Sequence, residues 1–281
     1  MGVRPLVTTD WLNEHLHDAD VRILDASWYL PGDPRDPRAE YALIHIPGAG
    51  FFDIDEVADT ETNLPHMLPP PETFAEAVQK LGVGNEHFVV IYDAVGIYSS
   101  PRLLWTFHTM GHETCAVLDG GLAKWRSENR PTTSQAPPHR PAMFSPALNR
   151  EILRECNDLL SNLKAKNEQV LDARSPSRFA GLEQEPRPGV KPGHIPASVN
   201  IHYAELINND GTLRSAEDLR SIFEKRTIDL GSPIVTTCGS GITAAIVYLA
   251  AKIAGATEVA LYDGSWADWG SMVNAPIEIG P

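Results

Sequence analysis

The sequence predicts an α/β protein of two tandem domains, each a mostly parallel sheet flanked by helices. Two observations lead to this fold class. Short apolar runs alternate with segments of helical periodicity along the chain. The pattern also occurs twice, with a repeat distance of about 145 residues in a chain of 281. Each half therefore has the length of an ordinary single domain.

The individual elements follow from local patterns. Strands are expected at short apolar runs that end in a polar residue or a turn, and helices where apolar residues recur every three to four positions. In chain order, the predicted strands are ILDA (23–26), VVIYD (89–93), VLDA (170–173), PIVTT (233–237) and VALYD (259–263). The clearest predicted helices are PETFAEAVQKLG (71–82) and SAEDLRSIFEKR (215–226).

Four segments of the first half recur in the same order in the second. They are VRILDA (21–26) with EQVLDA (168–173), HIPGAGFFDI (45–54) with HIPASVNIHY (194–203), 89–111 with 233–255, and CAVLDGGLAKW (115–125) with VALYDGSWADW (259–269). Ordered matches at one spacing indicate duplication. The paired His45 and His194, and the paired Trp125 and Trp269, are expected to have architectural roles.

A proline-rich segment separates the two copies. Residues 130–147 contain five prolines and no apolar periodicity, which is typical of an extended linker. The predicted organisation is an N-terminal domain over 1–129, this linker, and a C-terminal domain over 148–281.

Composition and charge exclude several classes of protein. The formal net charge of −14 argues against nucleic acid or anionic lipid as the main partner. The uncharged stretch 231–251 is strand-like and then turn-like before it becomes helix-like, so we expect a buried strand, loop and helix rather than a membrane span. The N-terminal residues show no apolar region typical of a secretory signal, which predicts a cytoplasmic protein with reduced thiols.

The most informative of the three cysteines is Cys238. It follows the strand PIVTT and begins the turn CGSGIT (238–243), after which a helical pattern starts. Glycines allow backbone N–H groups to converge on one point, and a following helix contributes the positive end of its dipole. Both features stabilise a thiolate, so Cys238 is predicted to be a nucleophile. Cys115 in a strand and Cys156 in a helix-like stretch lack such a turn and are expected to be structural.

Two types of chemistry fit a loop cysteine. Cysteine phosphatases need an arginine six residues after the cysteine to hold a phosphate, and that position is Ala244. Sulfur transfer through a persulfide needs only N–H donors around a small anion, and the loop offers these. A serine hydrolase is a poorer interpretation, because the chain contains no Gly-x-Ser-x-Gly elbow.

The repeated LDA, HIPGA or HIPAS, and LDGG or LYDG motifs resemble the tandem rhodanese family over essentially the whole chain. The loop CGSGIT is similar to the CGSGVT loop of the mercaptopyruvate sulfurtransferases in this family, with Ile242 as the only departure. Thiosulfate sulfurtransferases instead carry basic residues after the cysteine (CRKGVT type). The resemblance implies that the first copy, which has Asp93 opposite Cys238, is inert and forms one wall of a cleft with the second copy.

The resemblance also implies roles for residues outside the cysteine. Arg178 and Arg187 match the arginines that hold the substrate carboxylate, and Arg174 is expected to be structural. Surface pairs with Glu183 or Glu185 are the alternative for these arginines. Asp55, His66 and Ser240 match a relay that would protonate the enolate left after sulfur removal, although Asp55 could cap a helix and Ser240 could simply be a small loop residue. The loop residues expected to surround the substrate are Gly239, Gly241, Ile242 and Thr243.

The resulting prediction is an enzyme that moves sulfur from 3-mercaptopyruvate to a thiol, a thioredoxin-like protein or cyanide through a persulfide on Cys238 and releases pyruvate. No metal or organic cofactor is expected, and neither nucleic acid nor membrane is an expected partner. Two alternatives stay open at this point: a thiosulfate:cyanide sulfurtransferase, and a non-enzymatic sulfur-carrier module.

Overall fold

A computed structural model describes residues 5–138 and 141–280 of the chain. The described residues fall into two compact units. The first unit contains the chain up to Asp59, together with Pro69–Asn149 and Asn208–Leu213. The second contains Thr60–Leu68, Arg150–Ile207 and the chain from Arg214 onwards. Each unit therefore includes one short segment from the other half of the sequence.

The first unit is built on a five-stranded parallel sheet with the strand order β1-β5-β4-β2-β3. Its strands are β1 (Leu6–Val7), β2 (Val21–Asp25), β3 (Gly50–Phe51), β4 (Phe88–Tyr92) and β5 (Cys115–Leu118). Its helices are α1 (Thr9–Glu14), α2 (Pro37–Leu43), α3 (Pro71–Lys80), α4 (Ser100–Thr109) and α5 (Gly121–Ser127). The predicted helix over 71–82 is thus present as α3, with Phe74, Ala75 and Val78 buried.

The second unit repeats this topology with the order β6-β10-β9-β7-β8, again all parallel. Its strands are β6 (Leu153–Arg154), β7 (Gln169–Asp172), β8 (Val199–Asn200), β9 (Ile234–Thr237) and β10 (Val259–Tyr262). Its α-helices are α6 (Cys156–Ala165), α7 (Pro176–Phe179), α8 (Ala216–Lys225), α9 (Ala244–Ala254) and α10 (Ser265–Trp269), and short 3-10 helices span Arg150–Ile152 and Tyr203–Leu206. The predicted α/β fold with two parallel sheets is confirmed.

The proline-rich segment between the repeats lies against the first unit. Antiparallel bonds join His45 to Thr133, and the His45 ring is within hydrogen-bonding distance of the carbonyl of Gln135. The indole of Trp125 donates to the carbonyl of Pro131 at 2.7 Å. The described residues of the predicted linker thus belong to the first unit, and positions 139–140 lie outside the described residues.

The paired histidines and tryptophans have matching roles in the two units. His194 pairs with Glu278 as His45 does with Thr133, and its ring stacks on Phe179. The Trp269 indole donates to the carbonyl of Pro276 at 2.9 Å, the counterpart of the Trp125 bond. These contacts agree with the architectural interpretation, because each unit uses them to hold the segment that follows its last helix.

The uncharged stretch 231–251 forms β9, the turn after it, and most of α9. In the part of the chain that the structure describes, no helix has both the length and the apolar character needed to cross a membrane.

Candidate active site

The cysteine loop lies at the carboxyl end of β9, at the edge of the sheet where α/β proteins gather their ligands. Cys238 is 2% exposed, and the backbone N–H of Gly241 donates to its Sγ at 3.1 Å. Helix α9 begins directly after the loop, with Thr243 at its N-cap. The sulfur therefore accepts one backbone N–H in the turn that directly precedes helix α9.

A second element fixes the backbone of the loop from outside. The start of α10 donates from the N–H groups of Trp266 and Ala267 to the carbonyls of Cys238 and Gly239, both at 2.9 Å. The Ser265 hydroxyl accepts the Cys238 N–H at 3.2 Å and donates to the carbonyl of Tyr262 at 2.9 Å. The sequence prediction missed Ser265, although it lies in the repeated segment 259–269.

The two loop glycines are required for different reasons. Gly241 has φ +87°, in the left-handed region that residues other than glycine rarely adopt. Gly239 is not in that region, but a Cβ there would lie 2.9 Å from Nη2 of Arg178. Its missing side chain therefore lets a guanidinium approach the loop, which the sequence prediction did not anticipate.

Arg178 reaches the loop while it is bound to a buried carboxylate. Its Nη2 lies 2.5 Å from Oε2 of Glu185, whose side chain is 3% exposed. The alternative to substrate binding was a weak surface pair with a glutamate, and the structure corrects it: the pair with Glu185 exists, but its carboxylate is buried. Arg187 lies two residues after Glu185 and is partly exposed.

Arg174 has the structural role expected of it. Its guanidinium contacts both carboxyl oxygens of Asp172, Oε1 of Glu185 and the carbonyl of Gly193, and it stacks over Trp266 at 4.4 Å. With an exposure of 2%, it is part of the interior of the second unit.

The predicted relay residues fall in different units. Ser240 and His66 belong to the second unit with Cys238, and both are buried. His66 has φ +54° and lies in the segment Thr60–Leu68, which the first half of the sequence contributes to the second unit. Asp55 belongs to the first unit, where its carboxylate accepts the indole N–H of Trp28 at 2.8 Å rather than capping a helix. The relay as a whole stays a prediction.

The other two cysteines lie in surroundings that oppose ionisation. Burial within β5 raises the pKa of Cys115 far above its usual value. Burial, with Asp268 as a smaller cause, also raises the pKa of Cys156, whose sulfur lies 3.4 Å from that of Met272. Neither thiol lies in a turn like that of Cys238. Within residues 5–138 and 141–280, no three His, Cys, Asp or Glu side chains gather into a group that could hold a metal ion.

In the first unit, Asp93 occupies the loop position that Cys238 has in the second unit. The Asp93 carboxylate accepts backbone N–H bonds from five residues and the hydroxyl of Ser100. The five N–H donors are Val95, Gly96, Tyr98, Ser99 and Ser100, at 2.8–3.1 Å. An internal carboxyl group thus fills the ring of donors at the position that Cys238 has in the second unit.

Comparison with known proteins points to one family. A family model described as a rhodanese-like domain matches residues 8–128 and again 155–272. The chain is 44% identical to human 3-mercaptopyruvate sulfurtransferase, over 95% of this chain and 92% of that protein. It is 42% identical to rat thiosulfate sulfurtransferase over the same shares. A solved structure from Escherichia coli, described as a 3-mercaptopyruvate sulfotransferase with the rhodanese fold, superposes with a TM-score of 0.86 at 38% identity, covering 94% of this chain and 99% of that one.

The chain therefore belongs to the rhodanese-like family, as a protein with two tandem rhodanese domains. Within that family it is a sulfurtransferase.

Proposed function

We propose that the enzyme takes sulfur from 3-mercaptopyruvate, holds it as a persulfide on Cys238, passes it to a thiophilic acceptor and releases pyruvate. The observation that carries this proposal is the approach of Arg178 to the cysteine loop. Nη2 of Arg178 lies 2.9 Å from where a Cβ on Gly239 would be, and Gly239 follows Cys238, whose sulfur accepts the Gly241 N–H. A carboxylate-bearing sulfur donor fits this combination of a thiol nucleophile and a fixed cation.

The chemistry balances without a redox partner. The Cys238 thiolate attacks the sulfur of the donor thiol, an S–S bond forms, and the C–S bond of the donor breaks. The electron pair of that bond stays on carbon as an enolate, which takes up a proton to give pyruvate, while the persulfide anion remains in the loop. An acceptor thiolate or cyanide then attacks the outer sulfur and restores Cys238.

The proton step is the proposed task of Ser240 and His66. A hydroxyl and an imidazole can pass a proton to the enolate carbon, and a carboxylate can orient the imidazole. Both residues are buried in the unit that carries Cys238. The contribution of Asp55 rests on the family resemblance alone.

Substrate binding is assigned to the two arginines and the loop. Arg178 and Arg187 are proposed to hold the carboxylate and carbonyl of the donor, as forked guanidiniums do. Gly239, Gly241, Ile242 and Thr243 are proposed to surround the transferred sulfur with backbone donors. The loop then recognises an anion without carrying a charged side chain of its own.

The choice of donor follows from position 239. The relatives include both mercaptopyruvate and thiosulfate sulfurtransferases at nearly equal identity, so overall similarity does not separate the two activities. A basic residue at position 239 would project its Cβ into Arg178. Glycine at this position therefore favours the donor whose carboxylate needs Arg178.

The test is a comparison of kcat/KM for 3-mercaptopyruvate and thiosulfate with cyanide as the common acceptor. We expect a clear preference for mercaptopyruvate, and we expect Arg187→Ala to weaken mercaptopyruvate turnover far more than thiosulfate turnover. A preference for thiosulfate would favour the alternative activity. Sulfur loading without turnover of either donor would favour a carrier module.

The acceptor and compartment are proposed on chemical grounds. A persulfide is discharged by thiols, so a small thiol or a thioredoxin-like protein in a reducing compartment such as the cytosol is the proposed partner. Cell fractionation, together with turnover assays in which thioredoxin replaces cyanide, tests both points. Thioredoxin that fails to discharge the persulfide would exclude that partner.

A further inference from the structure

A chain of buried charges lies behind Arg178. It begins with Asp172 at the end of β7, continues through Arg174 and Glu185, and ends at Arg178 beside the cysteine loop. The side chains of Asp172 and Arg174 are each 1% exposed and that of Glu185 is 3% exposed. Two carboxylates and two guanidiniums alternate, so each buried charge faces opposite charge.

Glu185 uses its two oxygens to join the two arginines. Oε1 lies 2.9 Å from Nη1 of Arg174, and Oε2 lies 2.5 Å from Nη2 of Arg178. Nε of Arg178 is also 3.3 Å from Oε1, so one edge of its guanidinium faces the carboxylate. A two-point contact of this kind fixes the plane of the guanidinium as well as its position. The other edge of the fork is the one that can bind a ligand.

Arg174, on the other side of Glu185 from Arg178, cannot easily shift. Arg174 is held by Asp172, by the carbonyl of Gly193 and by the face of Trp266. Because Glu185 is bonded to this fixed arginine, it holds Arg178 in one position. Without the carboxylate, two guanidiniums would face each other with no anion between them, and Arg178 would turn away.

We propose that Glu185 is a positioning residue that orients Arg178 for the carboxylate of the sulfur donor and so contributes to donor specificity. This inference rests on the proposed function, since it assigns Arg178 to the donor carboxylate. Thiosulfate has no carboxylate, so its turnover depends less on the orientation of Arg178. Glu185 is therefore expected to act on the KM of one donor rather than on sulfur transfer in general.

Glu185→Gln tests this inference, with kcat and KM measured for both donors. We expect the KM for 3-mercaptopyruvate to rise about tenfold or more, the loss of roughly one charge-assisted contact, while kcat and the thiosulfate parameters change less than about twofold. Glu183→Gln is the matched control, because Glu183 lies on the same loop and accepts hydrogen bonds from Ser175 and Ser177, whereas its interaction with Arg178 is a weaker one between charges without a hydrogen bond. It should leave both donors unchanged.

Glu185→Asp keeps the charge and shortens the side chain, so it should give an intermediate KM. If Glu185→Gln does not fold, the kinetic parameters of Glu185→Asp for the two donors test the role of Glu185 instead. Equal losses for both donors in the folded variant would overturn the inference and leave the proposed function intact. Wild-type protein that does not turn over mercaptopyruvate would instead overturn the proposed function.

Discussion

The backbone N–H of Leu68 donates a hydrogen bond to Oδ2 of Asp263 at 2.7 Å. This bond fastens the segment with His66 to the end of β10, the strand next to β9 and its cysteine loop. In the first unit, the N–H of Leu213 donates to Oδ1 of Asp119 at 2.8 Å. Asp119 and Asp263 are equivalent residues of the repeated LDGG and LYDG motifs, so duplication has preserved this fastening in both units.

Asp263→Ala is predicted to reduce sulfur transfer, because it releases the segment that carries His66. We expect kcat to fall about tenfold, as misplacement of a catalytic group does. Asp119→Ala is the matched control, since it removes the equivalent bond from the unit without a nucleophile. Both variants should lose about 1–3 kcal/mol of stability, and only the first should lose activity in a steady-state assay. Equal activity of the two variants would contradict a role for the His66 segment.

Asp93→Ala is predicted to destabilise the first unit without affecting the chemistry. The substitution leaves three buried and two partly buried N–H groups without their common acceptor, and we expect a loss of at least about 3 kcal/mol in unfolding by denaturant. Asp33→Ala removes an exposed carboxylate that caps one N–H and should cost less than about 0.5 kcal/mol. A small loss for Asp93→Ala would mean that water replaces the carboxylate in this loop.

Gly239→Ala is predicted to impair mercaptopyruvate turnover by displacing Arg178. The new Cβ would lie 2.9 Å from a guanidinium that Glu185 holds in place, so kcat/KM for this donor should fall between about tenfold and a hundredfold. Gly255→Ala, at the left-handed C-cap of α9 with no atom near its Cβ, should cost about 1 kcal/mol of stability and no activity. Unchanged kinetics for Gly239→Ala would show that Arg178 can move freely.

The ionisation of Asp25 is predicted to make the stability of the protein depend on pH. Burial raises the pKa of this carboxyl from 3.8 to about 6. Between these values the unfolded chain has released a proton that the folded chain retains, so rising pH favours unfolding over this window. Above about pH 6 the cost reaches about 3 kcal/mol.

The free energy of unfolding of Asp25→Asn, measured relative to wild type with denaturant, should therefore rise by about 3 kcal/mol from pH 4 to pH 7. In the second unit the counterpart of Asp25 is Asp172, which has Nη2 of Arg174 at 2.6 Å. The counterpart of Arg174 in the first unit is Ser27, so Asp25 has no guanidinium at that position. Asp172→Asn should accordingly destabilise the protein at pH 7. A pH-independent difference between wild type and Asp25→Asn would show that Asp25 is ionised in the folded state throughout.

The sequence predicts the elements whose signals are local. Helices α3 and α8 follow from their apolar periodicity, and the cysteine loop follows from a strand, a glycine-containing turn and a helix start. Repetition along the chain then predicts the second sheet from the first. These features depend on neighbouring residues, which a single sequence displays directly.

Features that depend on distant contacts leave no local pattern in the sequence. The burial of Glu185 arises because Arg174 and Arg178 enclose it, and no periodicity marks that position. The need for glycine at 239 comes from an arginine that is distant in sequence. The segment with His66 belongs to the second unit because of Asp263, almost two hundred positions later. Duplication places Asp119 and Asp263 in register, but only the folded chain shows what they hold.

Cys238 is expected to carry the transferred sulfur. Intact-mass measurement after treatment with 3-mercaptopyruvate in the absence of an acceptor tests it most directly. Wild-type protein should gain the mass of one sulfur atom and lose it on addition of a thiol, while Cys238→Ser should gain nothing. No added sulfur on the wild type, or equal addition to Cys238→Ser, would exclude Cys238 as the carrier of the transferred sulfur.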